Sequence, residues 1–381
     1  MLNKIDKKLL NKINILNLKD ECVDVIVLSK DYKSAKLNLC KYASDDLIVE
    51  LPLINSVALK TNLKNIYKIA NENFTEYVSS NSKVCGLIYE SKKDIGLQYL
   101  MQKVVDKKSI HSCVVIDTGV FPHVDFCLGK NRLVKFVDLI NNKFEPYDDN
   151  GHGTFVSGIL CGNSITDKYS GIDSHCDLIV IKALNSDGET SSVKILQAMQ
   201  WVLDNRINYN IKVVCMSFGS QLGSSQDPLI LGADVLWDNG IVVVSAGGNS
   251  GPESSTIMSP GASRKIITVG SMVKINDEFK VAEFSSRGPA LGYYKPDILM
   301  PGVDIISTNL FDEKRKFYTT MTGTSVSTPM LAGVASLLFR INMNYTPDQI
   351  KYMLIKSCIS IDGDRNSEGF GRLNLTQLKI L

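Results

Sequence analysis

Three short segments each place one chemically competent side chain at the end of an apolar run. Asp117 ends the strand-like run CVVID, and His152 stands between two glycines at the start of the apolar stretch TFVSGIL. Ser325 precedes the long apolar stretch MLAGVASLLF, which predicts a helix. A carboxylate, an imidazole and a hydroxyl can together perform acyl transfer, because the imidazole takes the hydroxyl proton while the carboxylate orients the imidazole. These residues are the candidate catalytic group.

Each of the three residues also has an ordinary structural interpretation. Asp117 could cap the turn at Gly119, and Ser325 could simply be an N-cap, a role open also to its neighbours. The glycines beside His152 cost helix stability unless another backbone segment approaches them closely. The remaining histidines lack such a setting and are interpreted as surface or turn residues: His111, His123 and His175.

The chain order Asp, His, Ser is the order found in subtilisins. The segments VVIDTGV, NGHGTFVSGI and GTSVSTPMLAGV resemble the three active-site signatures of the subtilase family. A fourth segment, VVVSAGGNSG, resembles its oxyanion-hole segment, and the similarity extends from about Ser112 to the end of the chain. The resemblance implies a subtilisin-like serine endopeptidase in which Ser325 attacks the scissile carbonyl, His152 is the general base and Asp117 fixes the imidazole.

The resemblance also implies which residues hold the substrate. Asn249 would donate its side-chain amide to the oxyanion, beside the backbone N–H of Ser325. An extended peptide or protein substrate would bind by strand addition between two edges. The implied substrate-binding residues are Gly188, Ser217, Phe218, Gly219 and Gly248.

Several positions depart from the family pattern. Phe155 and Ser157 stand where relatives commonly carry His and Ala, and Val326 stands where many carry Met. Glu189 is either a selector of basic substrate residues or a solvated loop charge. Asp125 matches a residue that ligates calcium in many relatives, but the loop GNSITDKYSG does not clearly supply the other ligands. No cofactor is required by the sequence, and calcium is left open.

The apolar runs predict an α/β fold from Ser112 onward. The runs CVVID, LIVIKAL, KVVCMSF, GIVVVSA and KIITVGSM lack polar alternation, which is typical of a parallel twisted sheet flanked by helices, as in subtilisins. The preceding region is rich in Lys and Asn and predicts a small α+β, ferredoxin-like domain, with a first strand at 23–29 and VCGLIYE as its last strand. The expected domains are 1–96 and 97–381.

The resemblance implies that the first domain is a propeptide that assists folding and inhibits the enzyme. A large parallel sheet has many contacts between distant residues and folds slowly without a template. We expect self-cleavage within 89–102, with Tyr89, Glu90 and Leu100 as candidate residues before the cut. A permanent regulatory domain is the alternative.

Composition excludes several classes of protein. The 381-residue chain has a formal net charge of +2, so nucleic acid and acidic membranes are not expected partners. Inspection finds no signal peptide and no membrane-spanning run, and the nine cysteines are scattered. We expect a cytoplasmic location, with non-classical release or spore association left open. A catalytically silent binding or scaffold protein is the alternative function, and a lipase is disfavoured because no G-x-S-x-G elbow is present.

Overall fold

The computed structural model describes residues 2–6, 9–10, 22–80, 87–104, 111–164, 169–310 and 317–380. The chain divides into two compact units, Met1–Val84 and Cys85–Leu381. The division falls before the predicted boundary at 96/97, and it assigns Ile95 to the second unit, whose core contains that side chain. The roles of the two regions as propeptide and catalytic domain stay predictions.

The first unit contains an antiparallel sheet, and two helices can be given bounds within its described segments. Its strands are β1 (Cys22–Ser29), β2 (Ala43–Leu51), β3 (Ser56–Asn62) and β4 (Thr75–Ser80), and its helices are α1 (Tyr32–Leu39) and α2 (Ile66–Asn71). The strand order is β2-β3-β1-β4, and the chain order is β-α-β-β-α-β, the order of a split βαβ unit. The alternating valines Val23, Val25 and Val27 of β1 face a core of their own.

The predicted last strand of this unit is wrong in position. The strand that pairs with β1 is Thr75–Ser80, whose β-branched and aromatic residues suit a sheet edge. Within the predicted run VCGLIYE, residues 84–86 lie outside the described residues, and Leu87 begins a helix, α3 (Leu87–Asp94). Lys92 and Lys93 in its last turn favour that helix end. The first two dozen residues could form one more amphipathic helix by their sequence, but they lie mostly outside the described ranges.

The second unit is built on one large sheet, ten strands among the residues described. The strands are β5 (Ser112–Asp117), β6 (Leu133–Asp138), β7 (Asp177–Lys182), β8 (Ile211–Met216), β9 (Val242–Ala246), β10 (Ile267–Ile275), β11 (Glu278–Val281), β12 (Ile298–Pro301), β15 (Cys358–Ile359) and β16 (Arg372–Leu373). A separate hairpin joins β13 (Ile305–Thr308) to β14 (Tyr318–Met321). The order is β15-β16-β12-β10-β9-β8-β5-β7-β6, with β11 beside β10. Its central strands run parallel, as their apolar sequences predict.

Helices cover this sheet. They are α4 (Leu97–Met101), α5 (Val124–Cys127), α6 (His152–Cys161), α7 (Ser192–Asn205), α8 (Pro228–Asp238), α9 (Thr324–Ile341), α10 (Pro347–Lys356) and α11 (Arg365–Glu368). Helix α10 begins with a capping box between Thr346 and Gln349, with Pro347 in the first turn. Helix α9 is long and apolar enough to cross a membrane, which sequence inspection overlooked, but 89% of it is buried inside the protein, as in a core helix.

The carboxyl ends of the central parallel strands form one edge of the sheet. Strands β5 and β7 pair in register, with Asp117 opposite Lys182, and β8 lies on the other side of β5. All residues of β5 and β9 are buried. Functional groups of open α/β sheets collect at this edge. It is where the candidate residues must be sought.

Candidate active site

Asp117 and His152 form a hydrogen-bonded pair at this edge. The Nδ1 group of His152 lies 2.7 Å from Oδ1 of Asp117, which also accepts the backbone N–H of Thr118 at 2.8 Å. The Asp117 side chain is fully buried, whereas 27% of the His152 side chain is exposed. A Cβ at Gly153 would lie 2.2 Å from the carbonyl oxygen of Gly119, so the glycine beside His152 permits a close backbone approach.

The surroundings of His152 favour its charged form. Burial alone lowers the pKa of His152, but the charge and hydrogen bond of Asp117, with the charge of Asp148 behind, raise it above its ordinary value. An imidazole held in this way keeps its Nδ1–H on the carboxylate and leaves Nε2 to accept a proton. His152 therefore has the tautomer and the basicity that a general base needs.

Asp148 organises the first turn of α6, where His152 lies. Its carboxylate accepts the backbone N–H groups of Gly151 and Thr154, each at 2.9 Å. It also accepts the hydroxyl groups of Thr118 at 2.9 Å and Thr154 at 2.6 Å. These bonds satisfy free N–H groups of the helix start and tie it to the turn after β5. Sequence reasoning missed Asp148, although an Asp shortly before an apolar helix is a recognisable cap signal.

Lys182 is a fully buried cation at the end of β7, opposite Asp117. Its ammonium donates to the carbonyl oxygens of Thr118 at 2.5 Å and Leu184 at 3.0 Å, and it pairs with Asp149 at 2.6 Å. A buried charge is tolerated only with such partners. Lys182 thereby fastens the ends of β5 and β7 to the loop before α6. It was also missed, because in the sequence it only interrupts an apolar run.

Asn249 follows β9 and is oriented by Thr324. Its Oδ1 atom accepts the backbone N–H of Thr324 at 2.8 Å and the hydroxyl of the same residue at 2.9 Å. The Thr324 hydroxyl in turn accepts the backbone N–H of Gly248 at 3.3 Å. Because the oxygen of the amide faces two donors, its Nδ2 group is left to donate elsewhere.

Ser325 and Asn249 border the same small space. A Cβ built on Gly323 would lie 3.2 Å from the Ser325 Oγ and 3.2 Å from the Asn249 Nδ2. Ser325 is in the first turn of α9, whose free backbone N–H groups and positive dipole end favour an anion. A carbonyl carbon attacked by Ser325 would therefore develop its negative oxygen among suitable donors.

Helices α6 and α9 bring the two halves of the candidate site to one place. They pack against each other, and a Cβ at Gly333 would lie 3.2 Å from the carbonyl oxygen of Leu160. Both begin at the carboxyl edge of the sheet, α6 beside the end of β5 and α9 beside the segment after β9. His152 and Ser325 thus stand in the first turns of two neighbouring helices at the same edge.

The predicted substrate residues fall into two groups. Gly188, Phe218 and Gly219 line one cleft of about 310 Å³. Its apolar lining comes from three more side chains: Leu184, Ile195 and Leu229. Ser217 is almost fully buried, and Gly248 lies against Met258 and Ser286 instead of lining this cleft. Glu189 also lines the cleft and is exposed.

The departures from the family pattern are packed in the interior. Phe155 and Ser157 are fully buried, and Val326 is 1% exposed. None of them replaces Asp117 or His152 in the pair described above. They alter only the packing behind it.

Asp125 is engaged by protein groups. Both of its carboxylate oxygens accept the Tyr318 hydroxyl, at 3.0 and 3.1 Å, and His123 lies 3.4 Å away. Within the described ranges, no group of three or more Asp, Glu, His or Cys side chains could hold a metal ion. Residues 165–168 of the loop expected to complete a calcium site lie outside those ranges. Calcium at Asp125 stays a prediction.

Two of the three remaining histidines were assigned wrongly. His111 and His123 are each 2% exposed and are not surface residues. His111 lies at the start of β5, where helix α9 covers it, and its Nε2 is 2.8 Å from the Ser336 hydroxyl. A single histidine carries no local pattern that reveals such burial. His175 is half-buried, next to Ser174.

Comparisons with known proteins agree with this architecture. The family model described as "Subtilase family" matches residues 112–372. The serine protease AprX of Bacillus subtilis is 40% identical over 285 residues, which are 68% of this chain and 64% of AprX. Subtilisin DY of Bacillus licheniformis is 30% identical over 264 residues, 68% of this chain and 88% of that protein. The aligned part is thus less than two thirds of AprX.

A solved structure agrees as well. The structure of sphericase superimposes with a TM-score of 0.60 at 26% identity, covering 70% of this chain and 92% of that one. The fold class expected from the apolar runs is confirmed for the larger unit. Together with the matching family model, these relationships establish that the chain belongs to the subtilase family of subtilisin-like serine proteases.

Proposed function

We propose that this chain is a serine endopeptidase in which Asp117, His152 and Ser325 act as the catalytic triad. The observation that carries the proposal is the 2.7 Å bond between Asp117 and His152. His152 lies in the first turn of a helix that packs beside the helix whose first turn contains Ser325. Family membership supports the same chemistry.

The mechanism follows from the arrangement of these groups. The Ser325 Oγ attacks the scissile carbonyl carbon while Nε2 of His152 takes the hydroxyl proton. The oxyanion is held by Asn249 Nδ2 and the Ser325 backbone N–H. His152 then gives the proton to the leaving amine, and the acyl-enzyme is hydrolysed by water through the reverse sequence of proton transfers. Asp117 stabilises the imidazolium at each step.

An extended peptide or protein is the proposed substrate. It would pair by its backbone with Ser217, Phe218 and Gly219 on one side and with the segment at Gly188 on the other. The cleft shared by Gly188 and Phe218 supports this mode. The exposed carboxylate of Glu189 supports a preference for a basic side chain a few residues before the cut.

Labelling and turnover test the activity. A fluorophosphonate probe should label wild-type protein and leave Ser325→Ala unlabelled, and the wild type alone should hydrolyse peptide amides. The alternative is a catalytically silent binding or scaffold protein. Intact peptide binding without labelling or turnover would favour that alternative and contradict the proposal.

We further propose that residues 1–96 act as propeptide, folding chaperone and inhibitor until self-cleavage within 89–102. A separate compact unit with its own core supports an independently folding module. Ile95 and Leu100 are both buried in the core of the second unit, which supports a cut toward the start of this stretch. The intact masses of wild type and Ser325→Ala test this: a shorter product is expected from the wild type alone, and equal masses would refute self-processing.

Two further proposals concern the cofactor requirement and the cellular setting of the enzyme. We propose that the enzyme needs no cofactor, and that it works in a reducing cytoplasmic setting. The described cysteines are all free, which supports the latter. A cysteine-alkylation assay on freshly lysed cells tests it, with full alkylation of the exposed thiols expected.

A further inference from the structure

A cavity of about 640 Å³ lies in the larger unit, apart from the candidate active site. Neither the proposed triad nor the predicted substrate-binding residues line it. Its wall comes from distant parts of the chain: strand β11, residues 359–362 at the end of β15, and two arginines, Arg287 and Arg372. A cavity of this size can hold a small molecule or a few residues of a peptide.

The cavity runs along the outer edge of β11. All four residues of this strand, Glu278–Val281, line the cavity. Because successive side chains of a strand point to opposite faces, a cavity lined by consecutive residues must lie beside the edge of the strand. On its other edge β11 pairs with β10, and the described residues supply no second partner strand. The outward N–H and C=O groups of β11 can therefore pair with an added extended segment.

Two guanidinium groups bring positive charge to this cavity. The Arg372 guanidinium lies 4.1 Å from the centre of the Phe279 ring, which orients its plane, and reaches the Asp94 carbonyl oxygen only at 3.5 Å. Burial lowers the pKa of Arg372, with the charge of Asp94 opposing this shift, so the cation lies where a nearby anion would stabilise it. The Nε atom of Arg287 is buried and has no hydrogen-bond partner in the part of the chain that the structure describes.

The carboxylates of the cavity wall are engaged with other groups. Glu278 is exposed and lies 3.8 Å from the Lys280 ammonium. Asp362 accepts the backbone N–H of Asp364 at 3.0 Å and the hydroxyl of Ser367 at 3.4 Å. Two guanidinium groups that line one cavity repel each other unless an anion binds between them, and their planar arrays of donors match a carboxylate.

We propose that this cavity binds the free carboxyl terminus of a peptide or protein chain, with its carboxylate between Arg287 and Arg372 and its preceding residues paired along β11. A phosphate or sulfate ion would satisfy the arginines, but it would fill a small part of the cavity and leave the strand edge unused. The side chains of Ile359 and Ile361 supply an apolar wall for an apolar final residue. Strand pairing and capture of a terminal carboxylate are both recurring modes of peptide recognition. The inference goes beyond the proposed peptidase function and does not depend on it.

Calorimetric titration of the full-length Ser325→Ala variant tests this inference, because this variant lacks the proposed nucleophile and should leave the peptide intact. The probe is an acetylated tripeptide of two alanines and a final leucine, compared with the same peptide carrying a carboxyl-terminal amide. The free acid should bind, and the amide should bind about tenfold more weakly or worse.

Arginine variants in the same Ser325→Ala background locate the binding. Arg287→Gln and Arg372→Gln should each weaken binding of the free acid by about tenfold or more. Lys265→Gln removes an exposed positive charge that does not line the cavity, so it is the matched control and should keep the affinity.

Several results would overturn the inference. They are absence of binding, equal affinities for the acid and the amide, and arginine variants that bind as the control does. Binding of inorganic phosphate without binding of the free acid would instead identify a site for a small anion. A dimer in size-exclusion chromatography that the arginine variants abolish would identify a second copy of the chain as the occupant.

Two further readouts keep the result interpretable. If the arginine variants do not fold, the comparison of acid and amide decides alone. Fluorophosphonate labelling of the wild type at Ser325 is measured separately. Labelling without peptide binding refutes only this inference, whereas peptide binding without labelling or turnover refutes only the proposed function.

Discussion

The side-chain oxygen of Asn249 accepts the backbone N–H of Thr324 at 2.8 Å, so the residue that precedes the candidate nucleophile sets the direction of the candidate oxyanion donor. The two groups therefore form one unit although they lie on different segments of the chain. Displacing either should disturb the other.

The first prediction concerns this unit. Asn249→Ala should lower kcat by about 10²–10³-fold with little change in KM, because the lost donor acts on the transition state. Steady-state kinetics on an alanine peptide measure the effect. Thr324→Ser retains both the N–H and the hydroxyl that hold Asn249 and should stay close to wild type. An unchanged kcat in Asn249→Ala would contradict the oxyanion role.

The second prediction concerns pH. Although burial opposes the charged form, the Asp117 carboxylate raises the pKa of His152. Because the base must be neutral, kcat/KM should fall as pH decreases through a midpoint above 6.5, the ordinary value of histidine. Asp117→Asn removes the charge that raises the pKa, so its acid limb should move to lower pH while kcat falls about 10⁴-fold. If the pH profiles of the wild type and Asp117→Asn were superimposable, Asp117 would not be the group that raises the pKa of His152.

The third prediction concerns Gly323. An added Cβ would lie 3.2 Å from both Ser325 Oγ and Asn249 Nδ2, so Gly323→Ala should displace both reacting groups. We expect kcat to fall by about 10²-fold, and the melting temperature to fall as well because L side chains rarely adopt the φ of Gly323, +155°. Gly240→Ala, at another positive φ (+84°) but with no atom within 4 Å of the new Cβ, is the matched control: it introduces backbone strain without a contact and should keep wild-type activity. If the two variants were equally active, the space bordered by Ser325 Oγ and Asn249 Nδ2 would not be needed for catalysis.

The fourth prediction concerns stability in acid. Burial lowers the pKa of His111 from 6.5 to about 4, with Asp173 and Asp177 opposing this shift and Arg340 and Lys212 adding to it. Between these pH values the unfolded chain binds a proton that the folded chain does not, so the free energy of unfolding should fall as the pH drops from 6.5 toward 4. The contribution of this residue is about 3 kcal/mol.

Denaturant unfolding at several pH values measures that loss. His111→Asn should show a shallower dependence on pH than the wild type, because it removes the titrating group. Parallel curves for the two proteins would rule out His111 as the source.

The fifth prediction concerns Asp125. Since the Tyr318 hydroxyl already contacts both carboxylate oxygens, a chelator should leave the melting temperature nearly unchanged. Tyr318→Phe should destabilise the protein by about 1–3 kcal/mol, because it leaves a buried carboxylate short of a donor. A large drop in melting temperature with EDTA, reversed by added calcium, would instead establish a metal at this position.

Much of the larger unit could be predicted because its strands are uniformly apolar. The runs CVVID and KVVCMSF have no polar alternation, which predicts strands buried on both faces. In the structure they form β5 and β8. Short strands such as Glu278–Val281 could not be predicted, because four residues carry no usable period and the strand exists only through its pairing with β10. The burial of Ile95 in the second core could not be predicted, because the residue looks like any exposed linker residue until its core is known.

The candidate site was predictable to a similar degree. Asp117, His152 and Ser325 are recognisable because glycines and element ends mark them locally. The supporting role of Lys182 depends on a partner 64 positions away, Thr118, and no local pattern encodes it. Asp148 has a local cap signal, but its bond to Thr118 could not be read from that signal.

The core of the larger unit also has a practical consequence for protein production. The match to the family begins at residue 112, but Ile95, Leu97 and Leu100 are buried side chains of the same core. A recombinant fragment trimmed to the matching region would lack these side chains and expose the surface that they cover. If such a fragment were insoluble, the cause would be the missing core side chains, and the result would not bear on catalysis.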